Sequence, residues 1–206
     1  NYLRMAMYLE LSRPMGDVGR WEKVLTRLRL LNKRYPLDAG KCGADDFIRE
    51  FEGRKDEEST VYSAIRESAI DQGLVFFGGF AASHYARWMT AKERKAVKTV
   101  PDFDLLAKEP ERAARQMKER LESTGIRRVR IRKMPGIGEI VAPHYMISVG
   151  RDIVCIIYEP MACHSYNVVK SEGRDIKVAT IDTMLSFYLA FLYANRPYYD
   201  KNRILC

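Results

Sequence analysis

At 206 residues the chain has room for one domain, or for a domain with an appendage, and an apolar share of 47% excludes wholesale disorder. A net charge of +8 and a pI of about 9.3 suit a polyanionic partner, although such a surplus speaks to association rather than to fold. The four cysteines (Cys42, Cys155, Cys163 and Cys206) have no CxxC spacing, which leaves zinc binding unsupported and points to a reducing compartment. The chain carries no signal-peptide pattern and no apolar run long enough to span a bilayer.

The first periodic segment predicts a helix over Gly19 to Tyr35, where Trp21, Val24, Leu25, Leu28 and Leu31 recur at three- and four-residue spacing between lysines and arginines. Pro36 to Ser59 holds glycines and a charged run and reads as a linker. The expected division is therefore an N-terminal helical segment with its linker over 1–58 and a core over 59–206. A helix over Thr60 to Asp71 stops at Gly73. A strand over Leu74 to Phe77, a helix over Phe80 to Met89 and a basic loop from Thr90 to Thr99 come next. They lead to a strand over Asp102 to Ala107 and a helix over Pro110 to Ser123, with Pro110 in the first turn, where its missing donor costs nothing. Three strands follow, over Arg127–Met134, Ile140–Val149 and Ile153–Tyr158, the last two joined by a tight turn at Gly150-Arg151-Asp152. An apolar helix from Ile181 to Asn195 closes the pattern. The start at Asn1 and the stop at Cys206 point to an excerpt of a longer protein.

Chemistry concentrates at two places. Gly78-Gly79 stands where a strand turns into a helix, so the backbone there can approach a phosphate and the first helical turn offers unpaired N–H groups. The run lacks GxxxxGK[ST] and is no P-loop; Ser83, one turn further, is a candidate phosphate contact. Downstream, Val100-Pro101-Asp102-Phe103-Asp104 puts two carboxylates on one side of a strand, because side chains alternate with period two. Two like charges on one face gain little structurally, whereas they suit divalent cations such as Mg²⁺ or Mn²⁺. Asp102 and Asp104 are thus candidate metal ligands and catalytic residues in a two-ion transfer. Arg128, Arg130 and Arg132 alternate with Val129 and Ile131. They read either as a solvated face or as a surface for single-stranded nucleic acid, which Lys92, Arg94, Lys95 and Lys98 would extend. His84 and His164 stand in no ligand motif of the sequence and are not assigned as ligands.

The glycine pair, the spacer and Pro101-Asp102-Phe103-Asp104 resemble the nucleotidyltransferase superfamily of DNA polymerase β, an α+β fold with a mixed sheet flanked by helices. More closely, the chain resembles the catalytic subunit of the poly(A) polymerases of large DNA viruses, of the poxvirus, asfarvirus and mimivirus type. The resemblance runs through Ser12–Val18, Arg20–Leu25, Leu30–Leu37, Tyr158-Glu159-Pro160, Cys163–Asn167 and Thr180–Leu189. It implies template-independent transfer of AMP from ATP to RNA 3′ ends with two divalent ions, Mg or Mn. Gly78 and Gly79 would face the triphosphate, Asp102 and Asp104 would hold the metals, and a processivity subunit or a homodimer would complete the assembly. The setting it implies is the host-cell cytoplasm or the virion. Members of the family are longer and end in a further domain. The superfamily also carries a third carboxylate on a later strand. Alignment at Tyr158-Glu159-Pro160 places Cys155 there, and Asp152 is the substitute candidate if a bulge re-aims it. Two alternatives stand beside this reading. One is a degenerate transferase fold serving as an RNA-binding or subunit-docking module, and the other is a different nucleotidyltransferase such as a tRNA-end transferase.

Overall fold

The computed structural model describes residues 5–6, 8–9, 18–36, 50–85, 90–91, 100–161, 164–194, 196–199 and 201–205. Lys92, Arg94, Lys95 and Lys98, the block from Ser12 to Asp17, most of the expected linker, and Cys42, Cys163 and Cys206 lie outside the described residues. The chain divides into two compact units, one formed by Asn1–Gly43 with Leu185–Cys206, the other by Ala44–Met184.

In the first unit, helix α1 (Val18–Arg34) half-buries the five apolar residues at helical spacing, and the residues between them are exposed. The Trp21 indole N–H donates to the Leu9 carbonyl at 2.9 Å. Phe191 stacks on Tyr199 with ring centroids 4.3 Å apart.

The second unit is α+β, built on a mixed seven-stranded sheet with helices against it. Its strands are β1 (Val75–Phe77), β2 (Phe103–Leu106), β3 (Val129–Met134), β4 (His144–Val149), β5 (Asp152–Tyr158), β6 (Tyr166–Ser171) and β7 (Arg174–Ala179), in the spatial order β3-β4-β5-β2-β1-β7-β6. The β1–β2 pair is antiparallel, while β2–β5 and β1–β7 are parallel. Helices α2 (Lys55–Asp71), α3 (Gly78–Tyr85) and α4 (Pro110–Ser123) accompany it. Helix α5 (Ile181–Ala194) begins here and continues into the first unit, which also holds α6 (Lys201–Leu205).

One face of the sheet is closed by aromatic packing: Phe103 lies 5.0 Å from the Tyr62 ring of α2 and 5.4 Å from Phe80 of α3, with Phe76 at 6.0 Å. On α4, Ala113, Ala114, Met117 and Leu121 are buried at three- and four-residue steps. The Tyr145 hydroxyl of β4 donates to Glu111 at 2.8 Å and ties α4 to the sheet. That bond, together with Arg115, holds the Glu111 carboxyl below the usual carboxylate range. Both α2 and α4 end in paired backbone bonds that use carbonyls left over by the helix. Gly73 donates to Ile70 and Leu74 to Ala69; Gly125 donates to Glu122 and Ile126 to Leu121.

The α2 helix starts five residues before the expected Thr60, with Asp56, Glu57 and Glu58 in its first turn, where carboxylates oppose the positive end of the helix dipole. The expected strand over Ile140–Val149 is shorter. Ile137 and Val141 close a local bridge, the Ile137 N–H donating to the Val141 carbonyl at 2.8 Å, and pairing resumes only at His144. The β6–β7 hairpin has no counterpart among the sequence expectations. Its two-residue turn holds Glu172 at φ 52° and Gly173 at φ 79°, the doubly left-handed geometry that matches strand twist. Arg66, buried on α2 and paired with its helix neighbour Glu67 (2.6 Å), holds this turn in place through the Ser171 carbonyl (3.1 Å) and Glu172 (3.3 Å). Arg174 adds an exposed pair to Glu67 and another to Asp71, both 2.8 Å.

Substituting Arg66→Ala strips a buried donor set from this clamp and is expected to lower unfolding free energy by about 2–3 kcal/mol, whereas the exposed Arg174→Ala costs below about 1 kcal/mol. Urea denaturation of the two variants beside the parent measures the contrast.

Candidate active site

The site forms where β1 ends and β2 begins, two antiparallel neighbours whose register puts Phe77 opposite Asp104. Gly78 follows Phe77 directly and takes φ +72°, a left-handed conformation that costs a side-chain-bearing residue roughly 1–2 kcal/mol. It is also buried against Asp104. A Cβ at position 78 would collide with Asp104 Oδ2 and stand 3.0 Å from Asp104 Cβ and Cγ. Glycine is therefore demanded twice, by conformation and by space, and the result is a carboxylate laid on the backbone of the turn. Helix α3 starts at Gly78 itself rather than at the expected Phe80, so the turn and the first helical N–H groups coincide. Gly79 is exposed, and among the described residues nothing lies within 4 Å of where its side chain would stand.

Asp102 sits one residue before β2 and Asp104 inside it, both half-buried. Alternation puts them on the face opposite Phe103, away from the aromatic layer under α2. The parallel pairing to β5 matches Phe103 with Cys155 and Asp104 with Ile156. Cys155 therefore belongs to the helix-covered face and does not stand beside the two aspartates, as the sequence alignment placed it. On that strand the residue level with Asp104 is an isoleucine. Burial pushes the Cys155 thiol well up, and the charges of Asp104 and then Asp102 add to it, so the sulfur stays protonated and inert.

Asp152 does not join the pair either. Between β4 and β5, Ile147 pairs with Cys155 but Ser148 with Ile153, so Val154 is an extra residue, a bulge. The bulge does re-aim Asp152, but in the wrong sense. Paired with Val149, Asp152 falls on the helix side, where its Oδ1 accepts the Glu52 N–H at 3.0 Å and its Oδ2 lies 3.2 Å from where a Cβ of Gly53 would be. Among the described residues no group of three or more His, Cys, Asp or Glu side chains is placed to hold a metal ion. Two carboxylates on one face, beside a turn open to a phosphate, nonetheless fit the way Mg²⁺ is usually held, by one or two carboxylates plus the oxygens of a bound phosphate.

Ser83 turns its hydroxyl back onto the helix, donating to the Phe80 carbonyl at 2.7 Å, so its proton is already engaged. His84 packs against the Phe80 ring at 5.3 Å. The half-buried His164 is pushed down by burial and stays neutral near pH 7. It lines a cavity of about 900 Å³ that opens at the other end of the strands, beside Leu74, Val75, Leu106 and Lys177, away from Gly78 and Asp102. His144, which carries no sequence signal, is fully buried, stacked 4.6 Å from Tyr158 with Nδ1 3.0 Å from the Ala142 carbonyl, and serves the core.

No protein-family profile matches the chain, and no curated protein matches it in sequence. In structure it is similar to the Megavirus polyadenylate synthase, with a TM-score of 0.63 at 16% identity over 99% of this chain. The match spans 42% of that chain. At this identity the likeness is one of fold.

The two glycines separate structure from binding. Gly78→Ala should cost about 1–3 kcal/mol and displace Asp104. Gly79→Ala, in open space on a helix, should fold equally well or gain up to about 1 kcal/mol. If the turn takes a triphosphate, both variants lose affinity for a fluorescent ATP analogue, and thermal melting separates the two causes.

Proposed function

We infer that the protein is a metal-dependent nucleotidyltransferase that adds AMP from ATP to the 3′ end of RNA. The observation that carries this reading is the close approach of Asp104 to Gly78, which sets one acid of the pair against a strand–helix turn with no described residue above Gly79. In this reading the backbone at Gly78 and Gly79 holds the triphosphate at the positive end of α3, and Asp102 and Asp104 hold Mg²⁺ or Mn²⁺. A divalent ion bound there would screen the phosphate charge and favour the deprotonated form of the attacking hydroxyl. The acceptor 3′ oxygen forms a bond to the α-phosphorus, the bond to pyrophosphate breaks, and the hydroxyl proton leaves to solvent. The choice of ATP and of RNA comes from the resemblance of the sequence to the viral poly(A) polymerases, and the fold likeness to the Megavirus polyadenylate synthase supports it. That protein is much the longer of the two, and this chain spans 42% of it.

A second reading is favoured by one observation. The β5 residue level with Asp104 is Ile156, and Asp152 is bonded elsewhere, so among the described residues β5 sets no third acid beside the pair. A site of that kind would bind a metal–nucleotide complex and transfer poorly, as a binding or docking module.

Primer extension with Mg²⁺ or Mn²⁺ and each nucleotide in turn separates the two. The first reading expects ATP-selective tailing, and Asp102→Asn or Asp104→Asn, which keep the shape and remove a charge, should lower it by at least about a hundredfold with the circular dichroism spectrum unchanged. Nucleotide binding without extension would favour the second reading. Asparagine variants as active as the parent would contradict the assignment of both aspartates.

A further inference from the structure

The sheet register connects the acidic pair to an unexpected neighbour. Asp104 is level with Ile156, Ile156 with Met146, and Met146 with Arg132. Residues paired across strands share a face, so Arg132 stands on the same face of the sheet as Asp104. So does Arg130, two residues earlier in β3 and paired with Ser148 of β4. The step from β2 to β3 crosses three strand intervals, roughly 14 Å at about 4.8 Å each. Both arginines are exposed, and β3 is the last strand of the sheet at that edge.

Two features set these arginines apart from a merely solvated face. Several arginines on the helix side of the sheet are neutralised: Arg112 by Glu109, Arg115 by Glu111, Arg174 by Glu67 and Asp71. Among the described residues, neither Arg130 nor Arg132 makes an ion pair. Two like charges held about 6.6 Å apart on one strand face gain nothing from each other, and they match the repeating charge of an extended phosphodiester. Immediately before them, Arg128 takes φ +63°, a left-handed conformation that is uncommon for a residue with a side chain, and its carbonyl accepts the Gly150 N–H at 3.2 Å. The backbone of a third, exposed arginine is thus held at the start of the strand, at the end of the sheet where Asp102 lies. Charge on an edge strand also blocks edge-to-edge pairing, but that purpose does not require the arginines to share the face of the aspartates.

We propose that Arg130 and Arg132 form a track for the phosphodiester backbone of a single-stranded polynucleotide, carrying its 3′ end across the sheet towards Asp102 and Asp104. The direction of travel rests on the nucleotidyl-transfer reading; the binding of the strand does not. The group recognised is the backbone phosphate, which RNA and DNA share.

The test measures binding of labelled oligoadenylate and its deoxy counterpart over a range of salt concentrations, to the parent, to the double variant R130Q/R132Q and to R130K/R132K. Each phosphate neutralised contributes roughly 0.7 to the slope of log affinity against log salt for a single strand, so the glutamine pair should flatten that slope by about 1.4. The lysine pair should keep it, and affinity for Mg²⁺–ATP should be the same in all three proteins. Equal losses with RNA and DNA identify the backbone as the group held. An unchanged slope in R130Q/R132Q, a lysine pair as weak as the glutamine pair, or a loss confined to RNA overturns the track. Primer extension run beside it keeps the two readings apart. Intact extension with an unchanged salt slope refutes the track alone; a flattened slope in a protein that never extends a primer refutes transfer and leaves the track standing.

Discussion

The close approach of Asp104 to Gly78 is the constraint on which the site depends. It needs three things together. An antiparallel β1–β2 register must bring position 104 opposite Phe77, a left-handed residue must follow Phe77, and that residue must have no side chain. Meeting all three leaves a carboxylate against a backbone turn at the start of a helix, where the N–H groups attract a second anion. In the proposed reading, two negative groups in one corner hold a cation between them, and a packing detail becomes chemistry.

The sheet behind the corner supplies its rigidity. Phe103, flanked by the two aspartates in sequence, is the residue that buries itself among Tyr62, Phe76 and Phe80. Burying an aromatic of that size contributes roughly 2–3 kcal/mol, and because neighbouring side chains alternate, it pins Asp102 and Asp104 to the other side. The acid pair is thus oriented by the apolar residue between its members. Cys155 extends the same layer on β5, where the nearby carboxylate charges only strengthen the tendency of its thiol to stay neutral.

Much of this was legible in the sequence, and the illegible parts share one cause. The α4 helix, the α1 stripe and the aspartate strand follow from local periodicity, which a linear pattern records directly. What no pattern records is register. The bulge at Val154 depends on how β5 meets β4 and decides that Asp152 turns to Glu52, and the register of β5 on β2 decides that Cys155 pairs with Phe103. The same limit hid the placing of Arg130 and Arg132 on the face of Asp104, since their alternation was visible but the side they share was not. The β6–β7 hairpin escaped for a different reason. Tyr166 and Val168 are exposed on an outer strand, so the apolar signal is weak, and Glu-Gly is a less familiar turn pair than Asn-Gly. Ile176 and Val178 do alternate, and they were the available clue.

The most direct measurement is a crystal structure of the protein with Mn²⁺ and a non-hydrolysable ATP analogue, the ion located by anomalous scattering. The account predicts a manganese peak bridging carboxylate oxygens of Asp102 and Asp104, at about 2.1 Å from each if it matches magnesium geometry, with the triphosphate lying over Gly78 and Gly79. An ion bound elsewhere, or a nucleotide seated away from that turn while the two aspartates stay unligated, would contradict it.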